Sequence, residues 1–252
     1  MPKFIQKRFA LIACSVLWRE FAYFSSQSKH LIRFYFQPQG LHNNPAEMKK
    51  RLQRVIDEIE SSKQFDCLLF GYGLCSRGIE GLKSRATPMV FARAHDCLTF
   101  LLGSRARQKE IYQKYPDAYW YSPGWIETGT QPSRERIEKS LAWLRERYGE
   151  EKARWLLGEL ESWLRNYHRA IYIDLGVGAR SQYLAYARAC AGELGWELVE
   201  LEGDARLVKG LVFGEWSEED FLVVPPGAEV RLSHDQNLLT YQPSGKSAPG
   251  QK

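Results

Sequence analysis

Short apolar runs alternate with amphipathic segments along most of the chain. In the first half, runs of β-forming residues predict buried strands at 9–13, 31–36, 66–70 and 89–92. A helix is predicted to begin after Asn44, because this N-cap residue is followed by a proline at the first helical position. Strands that alternate with helices in this way favour a mainly parallel sheet.

The second half repeats this alternation after a helical segment. Residues 106–127 are predicted to be irregular and aromatic, and residues 134–167 to form two helices that break near Gly149. Strand and helix patterns resume from residue 170. We therefore expect an α/β fold of two βαβ-type halves with mainly parallel sheets, joined through a helical segment. The predicted divisions are an N-terminal half at 1–127, the helical segment at 128–167, a C-terminal half at 168–235 and a disordered tail at 236–252.

Composition limits the class of protein. The apolar fraction is 44% and the charged fraction 26%, as in ordinary globular proteins. None of the five cysteines forms a CxxC pair, and their irregular spacing predicts reduced thiols rather than a disulfide framework. No apolar run approaches the ~18 residues of a membrane span. The apolar run before Cys14 is also shorter than the ~7–15 residues of the apolar core of a signal peptide. We expect a cytoplasmic protein without a membrane partner.

The net charge of +5 is unevenly distributed. Residues 1–127 carry an excess of Lys and Arg, whereas the remainder of the chain is net negative. A basic half predicts either an anionic ligand, such as a phosphate, a carboxylate or nucleic acid, or simply a solvated charged surface. The acidic second half disfavours nucleic acid as a partner.

Soft metal-ligand side chains follow three of the predicted strands. Cys14 follows the first strand, Cys75 the third, and His95 with Cys97 the fourth. Because the carboxyl ends of parallel strands meet at one edge of a sheet, we expect these side chains to lie close together. Thiolates with imidazole favour zinc or an iron–sulfur cluster. Three thiolates leave one position open, and His95 is predicted to be either the fourth ligand or an acid–base group.

Two of these cysteines are predicted to have lowered pKa values. Cys14 and Cys97 each precede a predicted helix, and the partial positive charge at a helix N-terminus favours the thiolate. The alternative interpretation is that the cysteines are small buried apolar side chains.

Further candidates lie in the loops. His42 lies in a loop before a helix, where it could donate to a substrate, although such a histidine is commonly a turn residue. Arg77 and Arg93 adjoin the candidate cysteines and are predicted to hold an anion. Trp125 belongs to an aromatic segment at 119–125 that could form the wall of a pocket, stack on bases or pack a long connection.

The second half contains a rival site. Asp174 with Gly176 and Gly178 resembles the first motif of Rossmann-like S-adenosylmethionine methyltransferases, and Glu200 or Glu202 would then hold the ribose. Only about fifty ordered residues follow this stretch, too few for the remaining strands of that fold. Packing between a strand, a turn and a helix is the alternative.

Several short motifs together resemble the DUF1638 family of bacterial and archaeal proteins. The similarity covers most of residues 8–233, and its most specific parts are GYGLC and HDC. The motifs lie at residues 11–14, 40–43, 70–75, 93–97, 122–125 and 223–227. The resemblance implies a cytoplasmic α/β protein with Cys/His motifs and no assigned reaction. Relatives are associated with corrinoid-dependent one-carbon methyl transfer, which implies corrinoid methyl-transfer proteins as partners.

These patterns lead to one main functional hypothesis. We expect a protein that binds zinc or an iron–sulfur cluster and acts on a small molecule in methyl or thiol metabolism, as a metal-dependent transferase or lyase. The alternatives are a non-catalytic accessory protein that handles a metal or cofactor, and an S-adenosylmethionine-dependent methyltransferase.

Overall fold

The computed structural model describes residues 6–244 except residues 63, 76 and 234. The described strands are β1 (Arg8–Cys14), β2 (Leu31–Gln37), β3 (Cys67–Gly71), β4 (Met89–Ala92), β5 (Ala118–Tyr121), β6 (Arg169–Asp174), β7 (Glu197–Glu202), β8 (Phe221–Val224), β9 (Ala228–Leu232) and β10 (Leu239–Pro243). The described α-helices are α1 (Trp18–Ser25), α2 (Pro45–Ser61), α3 (Cys97–Leu102), α4 (Arg105–Lys114), α5 (Pro123–Thr128), α6 (Arg134–Tyr148), α7 (Glu150–Leu160), α8 (Arg180–Leu194) and α9 (Arg206–Phe213). Short 3-10 helices cover Ser15–Leu17, Leu41–Asn43 and Ser162–Asn166.

The chain divides into two units, and the first unit is discontinuous. It comprises Met1–Gln108 and Asp204–Lys252, whereas the second comprises Lys109–Gly203. These divisions differ from the predicted boundaries at 127 and 167. The physical reason is that β8 pairs with β4 and so returns the end of the chain to the first sheet.

The first unit contains a five-stranded sheet in the order β2-β1-β3-β4-β8. The first four of these strands are parallel and β8 is antiparallel. Helices cover both faces: Ile12 packs in one core cluster with α2, whereas its neighbour Ala13 lies close to Phe21 of α1. This confirms the predicted α/β class with a mainly parallel sheet.

Helix α2 has the N-terminus and the buried face that its sequence predicts. The Asn44 side chain accepts a hydrogen bond from the Glu47 backbone N–H at 3.1 Å, and Pro45 is the first helical residue. Such a cap contributes about 1 kcal/mol. Apolar side chains three or four residues apart face the sheet. They are Met48, Leu52, Ile56 and Ile59.

The second unit has its own parallel sheet, in the order β5-β6-β7. Tyr121 and Tyr172 are fully buried in its core with Cys190 of α8. The predicted helix break is confirmed, since Gly149 has a φ of 76° between α6 and α7. No helix of the described residues has the length and apolar character needed to cross a membrane.

Two segments differ from their predicted structure. Residues 106–127 form most of α4, then β5 and α5, because the aromatic run at 118–121 pairs with β6 instead of forming a loop. Part of the predicted disordered tail forms β10, which pairs with β9 in a hairpin. The rest of that tail, residues 245–252, lies outside the described residues.

Candidate functional site at the carboxyl edge of the first sheet

The first sheet has a topological switch point between β1 and β3. The chain leaves β1 towards β2 on one side, and it leaves β3 towards β4 on the other. In open α/β sheets, the crevice outside the carboxyl ends of two such strands is the usual place for a ligand. Cys14 is the last residue of β1, and Tyr72 immediately follows β3.

Three side chains form a row across this edge. Cys14 is the register partner of Gln37 on β2, and the preceding Ala13 is the partner of Gly71 on β3. Tyr72 therefore extends the row on the other side of Cys14. Residues in one row of a parallel sheet share a face, and Cys14 and Tyr72 both pack in the core cluster that contains α2.

The loops after β3 and β4 are held against each other. The Cys75 backbone N–H donates to the His95 carbonyl at 3.1 Å. A Cβ atom at Gly73 would lie 2.5 Å from the Asp96 backbone nitrogen, so only glycine allows this approach. The loop that carries Cys75 is thereby fixed beside the loop that carries His95 and Cys97.

A capping interaction fixes Cys97. The Asp96 carboxylate accepts hydrogen bonds from the backbone N–H groups of Leu98 at 2.9 Å and Thr99 at 3.2 Å, which places Cys97 at the first position of α3. The Gln108 side chain donates to the same carboxylate at 2.9 Å.

The turn that follows β3 contains two residues in the left-handed region. Cys75 has a φ of 44° and Arg77 a φ of 71°, and the Gly78 N–H donates back to the Cys75 carbonyl at 3.2 Å. Non-glycine residues in this conformation cost about 1–3 kcal/mol each and occur preferentially at functional sites. The strain at Cys75 is therefore consistent with a binding role for this turn.

Burial keeps the three thiols protonated. It raises the pKa of Cys75 to about 12, with a smaller contribution from the negative charge of Asp96. Burial also raises the pKa of Cys97 well above its ordinary value, and the negative charge of Asp96 raises it further. The pKa of Cys14 is raised by burial as well. The predicted lowering of the pKa of Cys14 and Cys97 at helix starts was wrong, since desolvation outweighs the backbone hydrogen bonds.

A buried phenol adjoins the thiols. The Tyr72 side chain is only 3% exposed, and its hydroxyl has no hydrogen-bond partner among the described residues. Burial raises its pKa. Tyr72 lies beside Cys14 in the row across the sheet and packs in the same core cluster as Cys14 and Cys75. A buried hydroxyl without a partner is uncommon in folded proteins.

The cysteines at this edge are of the residue type that binds a thiophilic metal, but their present positions do not form a coordination site. Cysteine thiolates are ligands of zinc and of iron–sulfur clusters. Among the residues that the structure describes, no group of three or more His, Cys, Asp or Glu side chains is arranged to hold a metal ion. The side chain of His95 is exposed to solvent.

Comparison with protein families decides the relationship of this chain. The model of a family described as "Protein of unknown function (DUF1638)" matches residues 36–212. The chain belongs to the DUF1638 family. The resemblance recognised from the sequence motifs is therefore confirmed. Searches of the curated proteins and of the solved structures gave no match.

The DUF1638 match contains most of the candidate site. It includes His42, Cys75, His95 and Cys97, whereas Cys14 at the end of β1 lies outside the matched range. In the folded chain, Cys14 joins the other two thiols through the pairing of β1 with β3.

The arginines predicted to hold an anion have protein partners. Arg93 donates to the backbone carbonyls of Glu218, Asn237 and Leu239, at 2.9, 2.6 and 2.6 Å. Its guanidinium thus ties β4 to the β8 and β10 segments. Arg77 forms an ion pair with Glu80, in which Nε and one terminal nitrogen donate to the same carboxylate oxygen at 3.1 and 2.9 Å.

The remaining candidates are placed apart from one another. His42 is exposed in the 3-10 helix Leu41–Asn43, beyond the carboxyl end of β2. Trp125 lies in α5 of the second unit, where its backbone N–H donates to the Ser122 side chain at 3.3 Å.

The glycine turn after β6 is closed by ion pairs. Asp174 accepts a hydrogen bond from the Gly176 N–H at 2.8 Å, and its other oxygen lies 3.2 Å from Nε of Arg180. Arg180 and Arg188 also pair with Glu200 at 3.4 and 3.0 Å, so one of the two residues predicted to hold a ribose, Glu200 or Glu202, is already engaged. The Tyr172 hydroxyl makes no hydrogen bond of good geometry, although it lies near Asp174, whose charge adds to the effect of burial in raising its pKa.

The carboxyl edge of the first sheet that carries Cys14, Cys75 and Cys97 is the thiol edge. Three residues at the thiol edge were missed from the sequence. They are Gln37, Tyr72 and Arg51 of α2, whose Nε donates to the Gln37 side chain at 2.7 Å. Tyr72 carried a signal, because it stands between two glycines in the GYG motif. Gln37 and Arg51 carried none, because their proximity depends on the packing of α2 against β2.

Proposed function

We propose that this DUF1638 protein binds a thiophilic metal centre, either zinc or an iron–sulfur cluster, through Cys14, Cys75 and Cys97. The observation that carries the proposal is the clustering of three half-buried cysteines, on neighbouring strand ends and loops, beside the unpartnered Tyr72 hydroxyl at the switch point of the sheet. Simple core cysteines do not account for the strained φ of Cys75 or for the two loops fixed on each other at Gly73.

Metal binding would reverse the protonation of the thiols. A coordinated thiol is deprotonated, so the cation supplies the charge compensation that the buried site otherwise lacks. Because no group of donors among the described residues is arranged to hold a metal ion, binding requires the cysteine thiols to move closer to one another.

Three thiolates would leave one position for a substrate. Bound zinc would activate a thiolate for alkyl or methyl transfer, whereas an open iron of a cluster would act as a Lewis acid or redox group. His95 is exposed at the rim of the site, where it could serve as fourth ligand or as acid–base group. A role in methyl or thiol chemistry with corrinoid partners is the family-level expectation, and it belongs to this proposal.

Metal analysis of the full chain tests the proposal. Protein purified anaerobically should contain zinc, or iron with the visible absorption of a cluster. The variants Cys75→Ser and Cys97→Ser should lose at least about tenfold in metal affinity, because a thiolate supplies both a bond and a charge.

Cys67→Ser is the matched control. Cys67 is buried at the opposite end of β3, where its thiol lies 3.2 Å from the Pro88 carbonyl. The metal content of the Cys67→Ser variant should equal that of the wild type. Unchanged metal content in both site variants would contradict the ligand assignment, as would equal losses in the control.

A further inference from the structure

Arg51 places a cation at the thiol edge that the proposed metal centre does not use. Its Nε donates to the Gln37 side chain at 2.7 Å. Gln37 is only 7% exposed and is the register partner of Cys14. The guanidinium is therefore held against a buried neighbour of the first thiol.

The outer part of this guanidinium is unused. Its two terminal nitrogens donate to none of the other described residues, and no carboxylate of those residues forms an ion pair with Arg51. The Arg51 side chain is exposed, so a ligand from solution can reach it. Gln37 lies in one row with Cys14 and Tyr72, so the cation is held at the end of the row that contains the unpartnered hydroxyl.

We propose that Arg51 and Tyr72 bind the carboxylate of a small substrate beside the thiols. The terminal nitrogens of arginine match the two oxygens of a carboxylate, and such charge-assisted pairs are stronger than neutral hydrogen bonds. The Gln37 side chain holds the guanidinium in place before the ligand arrives, which lowers the entropy cost of binding. The Tyr72 hydroxyl supplies a third donor and gains the partner that it lacks in the protein.

The substrate class follows from the two groups that would contact the substrate, the proposed metal and Arg51. This step rests on the proposed metal centre: a thiophilic metal with an open position prefers a sulfur atom, while Arg51 prefers an oxyanion. The site therefore selects a short carboxylic acid that carries a thiol or thioether group. The predicted anion binders Arg77 and Arg93 are engaged with the protein, and Arg51 takes their place.

Calorimetry on the metal-loaded full chain tests this inference with 3-mercaptopropionate as the probe. We expect wild-type protein to bind it, and Arg51→Gln to weaken binding about 10- to 100-fold, since the lost hydrogen bonds involve charged groups. Tyr72→Phe should weaken binding about three- to tenfold, as expected for one hydrogen bond. Binding of 2-mercaptoethanol, which lacks the carboxylate, should be equal in wild type and Arg51→Gln.

Arg54→Gln is the matched control on the same helix. Arg54 is 61% exposed and pairs with Glu47 at 3.4 Å, so this variant removes the same charge away from the thiols. It should change the affinity less than twofold. Equal affinities in wild type and Arg51→Gln, or equal losses in both arginine variants, would overturn the inference.

Propionate separates this inference from the metal proposal. Arg51-dependent binding of propionate to metal-free protein would support the carboxylate site even if metal analysis contradicted the centre. Protein that binds metal through the cysteines but shows no Arg51 dependence for either acid would retain the metal centre and overturn the carboxylate site.

Discussion

The carboxyl edges of the two parallel sheets differ in how their polar groups are satisfied. At the edge of the β5-β6-β7 sheet, Asp174 and Glu200 pair with Arg180 and Arg188. At the edge of the first sheet, Arg51 forms no ion pair with a described carboxylate. A buried tyrosine hydroxyl without a described partner occurs at both edges, Tyr72 at the first and Tyr172 at the second, so the difference lies in the charged groups. Both edges contain a glycine-containing turn after their middle strands, so the turn alone does not distinguish them.

This difference indicates which edge is available for a ligand. Charged groups that already form ion pairs within the protein contribute little free energy to ligand binding, because the ligand must first break those pairs. A charged group without an ion-pair partner, such as Arg51, gains one when a ligand of opposite charge binds. The thiol edge therefore has the properties of a binding site, and the edge with the ion pairs has those of a structural turn.

Substitution of the two turns should give the largest contrast. Gly73→Ala places a methyl group 2.5 Å from the Asp96 backbone, and overpacking of this kind should cost about 3 kcal/mol in the free energy of unfolding. Gly176→Ala meets no atom within 4 Å but keeps a φ of 72°, so it should cost only about 1 kcal/mol. Urea unfolding measures both. A larger cost at Gly176 would show that the second turn is the more constrained of the two.

The charged network at the second edge should contribute measurably to stability. Asp174 is buried, so Asp174→Asn should cost about 2 kcal/mol, because it weakens hydrogen bonds to a charged acceptor. Glu200→Gln affects exposed pairs and should cost less than about 1 kcal/mol. The comparison uses the same denaturation measurement. Equal costs would mean that burial of the Asp174 pair adds nothing.

The thiol edge should make the metal-free protein sensitive to alkaline pH. The pKa of Cys75 rises from 9.0 to about 12 on folding, so the unfolded chain releases this proton first as the pH increases. Stability is retained below pH 9 and lost between 9 and about 12, by about 1.4 kcal/mol per pH unit for this thiol. Cys75→Ser should flatten the dependence by that amount. Parallel slopes in wild type and variant would refute the assignment.

Binding of S-adenosylmethionine should be undetectable, which is the smallest effect expected. The second sheet has three described strands, and Glu200, one of the two acidic residues suited to a ribose, is paired with arginines. Calorimetry with the full chain should give no heat of binding. Micromolar affinity that disappears in Gly178→Val would reverse the comparison and make the second edge the ligand site.

Local sequence patterns determined a large part of the fold. The start of α2 at Pro45 was predictable because the Asn44 cap and the proline act within one turn. The break at Gly149 was predictable for a similar reason, since glycine adopts the positive φ there. The position of cysteines just beyond strand ends also followed from the chain, because parallel strands place their ends together.

Other features depended on contacts between distant segments. The aromatic run at 118–121 has no alternating pattern, and only its pairing with β6 makes it a strand. Strand β8 joins the first sheet antiparallel after the whole second unit has intervened. Neither pairing can be predicted from the local sequence, because strands that are far apart along the chain can form the same hydrogen bonds as neighbouring ones.

The chemistry of the thiol edge was decided in the same way. The sequence determines that residues 14, 75 and 97 are cysteines. The direction of their pKa changes depends on burial, which only the tertiary structure determines. The same packing engages Arg93 with backbone carbonyls and leaves Arg51 beside the thiols. Sequence therefore determined which groups the chain carries, and tertiary structure decided which of them remain free to bind, because desolvation and pairing are properties of neighbours in space.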